Sequence, residues 1–209
     1  MDDIVKAALK KWPNVPDCHG WLALDARGDW YMRDERVQHA GPFPQVKGSR
    51  ITHDKLKAFI ERNYSADSAG RWFFQNGPQR VYVQLEAAPW VWRLMWQAPV
   101  AETAAAGVRG GADGNAAARQ LTVTSHTGMP ARVRSCWLDA EGRVYLDTDL
   151  GFGIVHSQDM LDAALAVERG LWLPQPRVVA DAPARFGFSL DPAAPSDSTP
   201  QSKQPPEGG

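Results

Sequence analysis

Asp25-Ala26-Arg27-Gly28-Asp29-Trp30-Tyr31-Met32, Asp67-Ser68-Ala69-Gly70-Arg71-Trp72-Phe73-Phe74 and Asp139-Ala140-Glu141-Gly142-Arg143-Val144-Tyr145-Leu146 are three copies of one pattern. An Asp opens a turn by accepting hydrogen bonds from backbone N–H groups two residues on. A Gly three residues later supplies the positive φ that closes a short hairpin loop with a bulge. Aromatic and branched side chains then begin the outgoing strand. Three such turns in 209 residues predict a protein built on repeated β-hairpins.

Two of the hairpins are followed by a helix. Thr52 is the expected N-cap of a helix over 52–63 with Leu56, Phe59 and Ile60 on its apolar face. Ser157 is the expected cap of a second, with Met160, Leu161, Ala164 and Leu165 along it and Gly170 as its stop. The helices align at an offset of 105 positions and the hairpins at 114, so the first unit carries the longer connection, which includes Gly41-Pro42-Phe43-Pro44. Arg80–Leu85 and Pro89–Trp96 read as further strands and, more weakly, so do Leu121–Ser125 and Arg177–Val179. Bulky groups occupy both faces of the strand containing Trp90, Val91, Trp92 and Leu94, which predicts burial on both sides or one face in an interface. The fold class is α+β, with mainly antiparallel sheet from two pseudo-repeated hairpin-plus-helix units.

The predicted organisation is an amphipathic N-terminal helix over 1–13, a first unit over 14–100, a linker or long loop over 101–120, a second unit over 121–190 and a tail over 191–209. Ile4, Val5, Ala8, Leu9 and Trp12 give the first helix its spacing, and Pro13 stops it. The linker is nearly devoid of large apolar side chains and the tail is rich in Pro and Ser, so both are expected to be disordered.

With 23 basic against 24 acidic residues, no basic excess favours nucleic acid; single-stranded nucleic acid stacked on aromatic strands is kept as a distant alternative. The apolar runs are too short to span a bilayer, and the N-terminus lacks the apolar core of a signal peptide, so a cytoplasmic protein is expected. Cys18 and Cys136 stand outside any C-x-x-C and read as reduced thiols. None of the five histidines has ligand spacing, and His53 and His156 beside the helix caps read as local capping groups. No metal or cofactor is implied.

These residues favour a non-enzymatic binding module with a protein or peptide partner. The expected surface is the Gly41-Pro42-Phe43-Pro44 loop with Trp30 and Tyr31, since an insertion on a repeated scaffold often carries function. The competing reading makes Phe43 a plug folded over the helix 52–63. The enzymatic alternative uses Asp147 and Asp149, which share a strand face, together with His156.

The run from Lys11-Trp12-Pro13-Asn14-Val15-Pro16 through Gly20-Trp21-Leu22, Gly28 to Asp34, Ala40 to Pro44, Asn76 to Val83 and Pro89-Trp90-Val91-Trp92 resembles a family of uncharacterised proteins of Burkholderia-type proteobacteria, a domain of unknown function. The resemblance covers most of 4–100 and, more loosely, 121–176, and implies no activity, cofactor or catalytic residue. Trp30-Tyr31, Gly41-Pro42-Phe43 and a helix with Leu56 are also similar in order to GYF-type adaptor domains, which implies aromatic recognition of proline-rich peptides.

Overall fold

Each predicted turn closes in the same way. Asp25 Oδ1 accepts hydrogen bonds from the backbone N–H groups of Arg27 and Asp29, both at 2.9 Å. Asp67 serves Ala69 and Arg71, and Asp139 serves Glu141 and Arg143. Gly28, Gly70 and Gly142 take φ of +80°, +73° and +78°. A fourth turn of this kind runs from Ser125 to Met129, with Gly128 at φ +82° and Ser125 Oγ accepting from the Met129 N–H at 3.1 Å. A serine hydroxyl there does the work of the aspartate, so a pattern keyed on Asp passes over it.

The computed structural model describes residues 1–97, 120–176 and 179–192. The elements in chain order are α1 (Asp3–Lys11), β1 (Cys18–Leu24), β2 (Trp30–Met32), α2 (Glu35–Ala40), β3 (Ser49–Arg50), α3 (Asp54–Arg62), β4 (Tyr64–Ala66), β5 (Trp72–Asn76), β6 (Gln79–Leu85) and β7 (Trp90–Gln97). Then follow β8 (Gln120–Ser125), β9 (Pro130–Ala131), β10 (Val133–Leu138), β11 (Val144–Thr148), β12 (Gly151–Val155), α4 (Met160–Glu168), β13 (Pro174–Pro176) and α5 (Ala182–Phe186). They form a six-stranded sheet ordered β3-β2-β1-β6-β5-β4 and a seven-stranded sheet ordered β13-β10-β11-β12-β7-β8-β9. Among the described residues, eight of the eleven strand pairings are antiparallel, in an α+β fold; the parallel pairs are β1 with β6, β10 with β13 and β7 with β12. No helix among the described residues is long and apolar enough to cross a membrane.

The repeated unit is a three-strand antiparallel motif followed by a helix: β1-β2-β3-α3 and β10-β11-β12-α4. Its caps differ from expectation. His53, not Thr52, caps α3: its Nδ1 accepts from the Leu56 N–H at 3.3 Å. His156, not Ser157, holds the corresponding place, with Nδ1 accepting from the Gln158 N–H at 3.1 Å in a 3-10 turn that leads into α4. An imidazole nitrogen reaches the free N–H groups of a first turn as an Asx or Ser oxygen does. The offset from His53 to His156 is 103, so Asp159 and not Leu161 stands in the place of Leu56. Leu161 is accordingly 85% exposed. Asp159 is buried and grips β7, accepting from Arg93 Nε at 2.7 Å and from the Leu94 N–H at 3.0 Å.

The strand with apolar groups on both faces lies inside the second sheet. β7 runs between β12 and β8, its Trp90 and Trp92 indoles donating to the carbonyls of Leu150 and Leu146. Residues 90–97 therefore belong to the second sheet, although they lie within the stretch 14–100 read as the first unit. Val179 opens a 3-10 turn rather than a strand, because Asp181-Ala182-Pro183 starts α5 just beyond it; Arg177 and Val178 lie outside the described residues. Of the predicted linker, 101–119 lie outside the described residues and Gln120 opens β8. Asp191 and Pro192, read as the start of a tail, belong to the body, and 193–209 lie outside the described residues.

One buried apolar core joins the two sheets. At its centre Tyr64 packs edge to face against Trp30 and Trp90, and Trp72 edge to face against Trp90 and tilted against Tyr64, while Tyr64 O–H donates to the Pro89 carbonyl. The C-terminal residues clasp the sheets from outside. Phe186 stacks on Phe152 of β12 at 4.1 Å, and the chain then crosses the first sheet. There the Ser189 N–H donates to the Gly70 carbonyl, the Leu85 N–H to the Leu190 carbonyl, Gln84 Nε2 to Asp191 and His19 Nδ1 to the Pro192 carbonyl. On α1, Val5 is buried, while Ile4 and Trp12 remain 76% and 50% exposed.

Candidate functional site

Strand alternation divides the expected surface. Trp30 points into the core and is fully buried, so it lines no surface; the sequence weighed its size but not its face. Tyr31 points the other way, its hydroxyl donating to Asp25 Oδ2 at 3.2 Å and the Lys47 ammonium 5.5 Å from its ring. Burial works against the Asp25 carboxylate, yet the Asp29 N–H and Lys47 hold its pKa below the ordinary value. The Gly41-Pro42-Phe43-Pro44 loop follows α2, which is capped by Asp34. Gly41 O accepts from Arg33 Nη2 at 2.7 Å, and the half-buried Phe43 ring lies 5.7 Å from the Arg33 guanidinium carbon. The loop is thus a cover over Arg33, itself 1% exposed and bonded to Gln84, and the contact Phe43 makes is with that guanidinium.

The second constellation does not converge. Asp147 sits in β11 opposite Phe152, and Asp149 in the next turn accepts from the Arg132 N–H at 2.8 Å. His156 follows the far end of β12, more than about 13 Å along the strand from that turn. It is buried, and burial first and Arg93 second lower its pKa. No group of three or more His, Cys, Asp or Glu among the described residues is placed to hold a metal ion.

His126, which the sequence left unassigned, lies among the Trp30, Tyr64 and Trp90 rings with centroids 5.8 to 6.0 Å away. Its Nδ1 accepts from the Val91 N–H, which puts the ring proton on Nε2. Burial, with a smaller contribution from the Lys57 charge, pushes its pKa down to about 3, so it is a neutral part of the core.

The surface with the clearest binding chemistry is a groove of about 290 Å³ between the first sheet and α3. Leu22, Met32, Phe74 and Val81 face it from the sheet, and Leu56, Phe59 and Ile60 from the helix at i, i+3 and i+4. Trp21 and Met32 at its rim are 41% and 49% exposed. Its only side chains with polar atoms are Cys18, whose thiol pKa is raised by burial, the Trp21 indole and Asn76. The helical face was legible in Leu56, Phe59 and Ile60; the sheet contribution comes from four strands far apart in sequence. A larger cleft, about 710 Å³, opens beside the Asp139 turn, but its Asp139 is engaged by Arg143 and its Glu86 by Lys47.

A solved structure similar to this chain is the crystal structure of a DUF1285 family protein from Silicibacter pomeroyi DSS-3, with 13% identity, 78% of this chain and 83% of that chain covered, and a TM-score of 0.41. No curated protein matches. A family model described as "Protein of unknown function (DUF2946)" matches residues 1–193, and the chain belongs to that family, DUF2944.

Proposed function

We propose that the protein is a non-catalytic binding module that takes a short apolar segment of a protein or peptide partner in the groove between the first sheet and α3. The observation that carries this reading is the pairing of a preformed apolar floor with two large exposed side chains, Trp21 and Met32, at its rim. Core residues with no ligand to meet are normally sealed, and an open apolar concavity is the usual form of a recognition surface. Its volume matches one or two apolar side chains rather than a cofactor. The loop 41–44 covers Arg33, so the binding surface shifts from that loop to the groove.

The test is selection of phage-displayed peptides on the wild-type protein and on Met32→Glu, which sets a charge at a half-exposed rim position without entering the core. The reading expects apolar or proline-containing peptides that bind the wild type at least about tenfold more tightly, a difference of about 1.4 kcal/mol. Peptides indifferent to Met32→Glu, or no enrichment at all, would refute it.

A further inference from the structure

We infer that Arg33, beneath the Gly41-Pro42-Phe43-Pro44 loop, is a second binding site, on the face of the first sheet opposite the groove, and that it takes a small monocarboxylate when the loop lifts. Three observations carry this. First, the charge is buried without a counter-charge beside it. Arg33 is 1% exposed, yet its guanidinium meets a backbone carbonyl and an amide, Nη2 donating to Gly41 O at 2.7 Å and Nη1 to Gln84 Oε1 at 2.8 Å. Buried charges are ordinarily paired. Asp191 stands one amide away, accepting from Gln84 Nε2 at 3.0 Å, and is itself exposed to solvent. Second, Arg33 Nε is a buried donor with no partner. Nε and Nη2 together form the side-on fork that grips both oxygens of a carboxylate. The chain shows that fork filled elsewhere: Arg93 Nε and Nη2 hold the two oxygens of Asp159 at 2.7 and 3.1 Å, and Arg62 Nε and Nη2 hold Asp2. In Arg33 a single carbonyl sits on Nη2 and nothing on Nε, so the fork is half filled. Third, the group that half fills it is on a segment built to move. Gly41 O and the Phe43 ring belong to one loop between α2 and Lys47. Gln38 Nε2 ties α2 to the Arg33 carbonyl, and Asp25 and Glu86 hold the Lys47 ammonium, so the loop is anchored on both sides. Lifting it exchanges one neutral oxygen for two charged ones.

One guanidinium matches one negative charge. Asp191 and the cluster of Asp25 and Glu86 with Lys47, two carboxylates against one ammonium, repel a dianion such as phosphate. The Phe43 ring in the cover suits a short apolar tail on the carboxylate.

Sodium propionate is the probe, titrated into the full chain at constant ionic strength made up with sodium chloride. The reporter is the Arg33 Nε–H signal in nitrogen-15 NMR, assigned through bonds from the Arg33 backbone. It should move downfield and saturate in the millimolar range, with phosphate at least about tenfold weaker. Phe43→Ala, which loosens the cover, should tighten propionate binding at least about threefold, because less work goes into lifting the loop. Arg33→Lys keeps the charge without the fork and should lose the rise in urea midpoint that propionate gives the wild type; should that variant not fold, the wild-type titration decides alone. A signal that stays in place, or that moves equally with chloride, overturns the site, and phosphate binding as tightly as propionate overturns the monocarboxylate. Met32→Glu, in the groove, should leave the titration unchanged, and its loss there would overturn the placement on the opposite face. Peptide selection on the groove reads a different surface, so either reading can fail without the other.

Discussion

Gly70 and Gly142 occupy the same position of the same turn, at φ +73° and +78°, yet alanine should affect them very differently. A β-carbon in the left-handed region costs about 1–2 kcal/mol at either site. At Gly142 that is the whole cost, because nothing lies within 4 Å of where the methyl would stand. At Gly70 the methyl would sit 1.9 Å from the Gly187 carbonyl oxygen and 3.1 Å from Phe188 Cα. Those are backbone atoms, so the clasp itself must move. Its release forfeits the Ser189–Gly70 and Leu85–Leu190 hydrogen bonds, about 1 kcal/mol each. It also uncovers Phe188, 7% exposed, at about 1.5–3 kcal/mol. Gly70→Ala should therefore cost about 4–7 kcal/mol in all, with the clasp fully released as the upper end. Urea unfolding followed by tryptophan fluorescence measures both. Combining Gly70→Ala with Phe188→Ala should cost less than the sum of the two, since both loosen one segment. Equal costs for Gly70→Ala and Gly142→Ala, within about 0.5 kcal/mol, would refute the clasp as described.

Acid should destabilise the protein before its carboxylates titrate. The unfolded chain protonates His126 near its ordinary value of 6.5 whereas the folded chain holds it neutral to about 3, so stability present above pH 6.5 is lost as pH falls, by about 1.4 kcal/mol per unit. His156, whose pKa is also lowered, acts in the same direction; the difference in slope between wild type and His126→Gln from pH 6.5 to 4.5, read from urea midpoints, isolates the first group. Asp159→Ala removes the acceptor for Arg93 and for the buried Leu94 N–H and should cost about 2–3 kcal/mol by the same assay, with an unchanged midpoint counting against its role in holding β7. Phe43→Ala should cost about 1–2 kcal/mol, since the ring is half-buried and covers a guanidinium; a loss above about 3 kcal/mol would make it a core plug instead.

What the sequence disclosed was chemistry that acts over a few residues. Asp25, Asp67 and Asp139 announce their turns because an aspartate and a glycine three positions on complete the hydrogen bonding locally. Trp90 to Leu94 announced a strand with bulky groups on both faces, and the structure buries both only as far as Trp92, leaving Arg93 and Met95 exposed beside the buried Leu94. What it hid depended on approaches between distant segments. Thr52 and His53 both suit the start of a helix, and only the fold decides which one caps it. Nothing in Trp30 or Trp21 tells which faces the core until the strand pairing is fixed. The groove draws on β1, β2, β5, β6 and α3, and only its helical stripe has a periodic signature. The clasp leaves no trace but the glycine it rests against.

That clasp sets an order on biosynthesis. His19 finds its hydrogen-bond acceptor at Pro192, 173 positions later. At about 5–20 residues per second, the outer face of the first sheet, complete once β6 is made, waits on the order of five to twenty seconds for the segment that covers it. In that interval the six-stranded sheet stands with its outer face uncovered, and chaperones that shield nascent strands act in the same window.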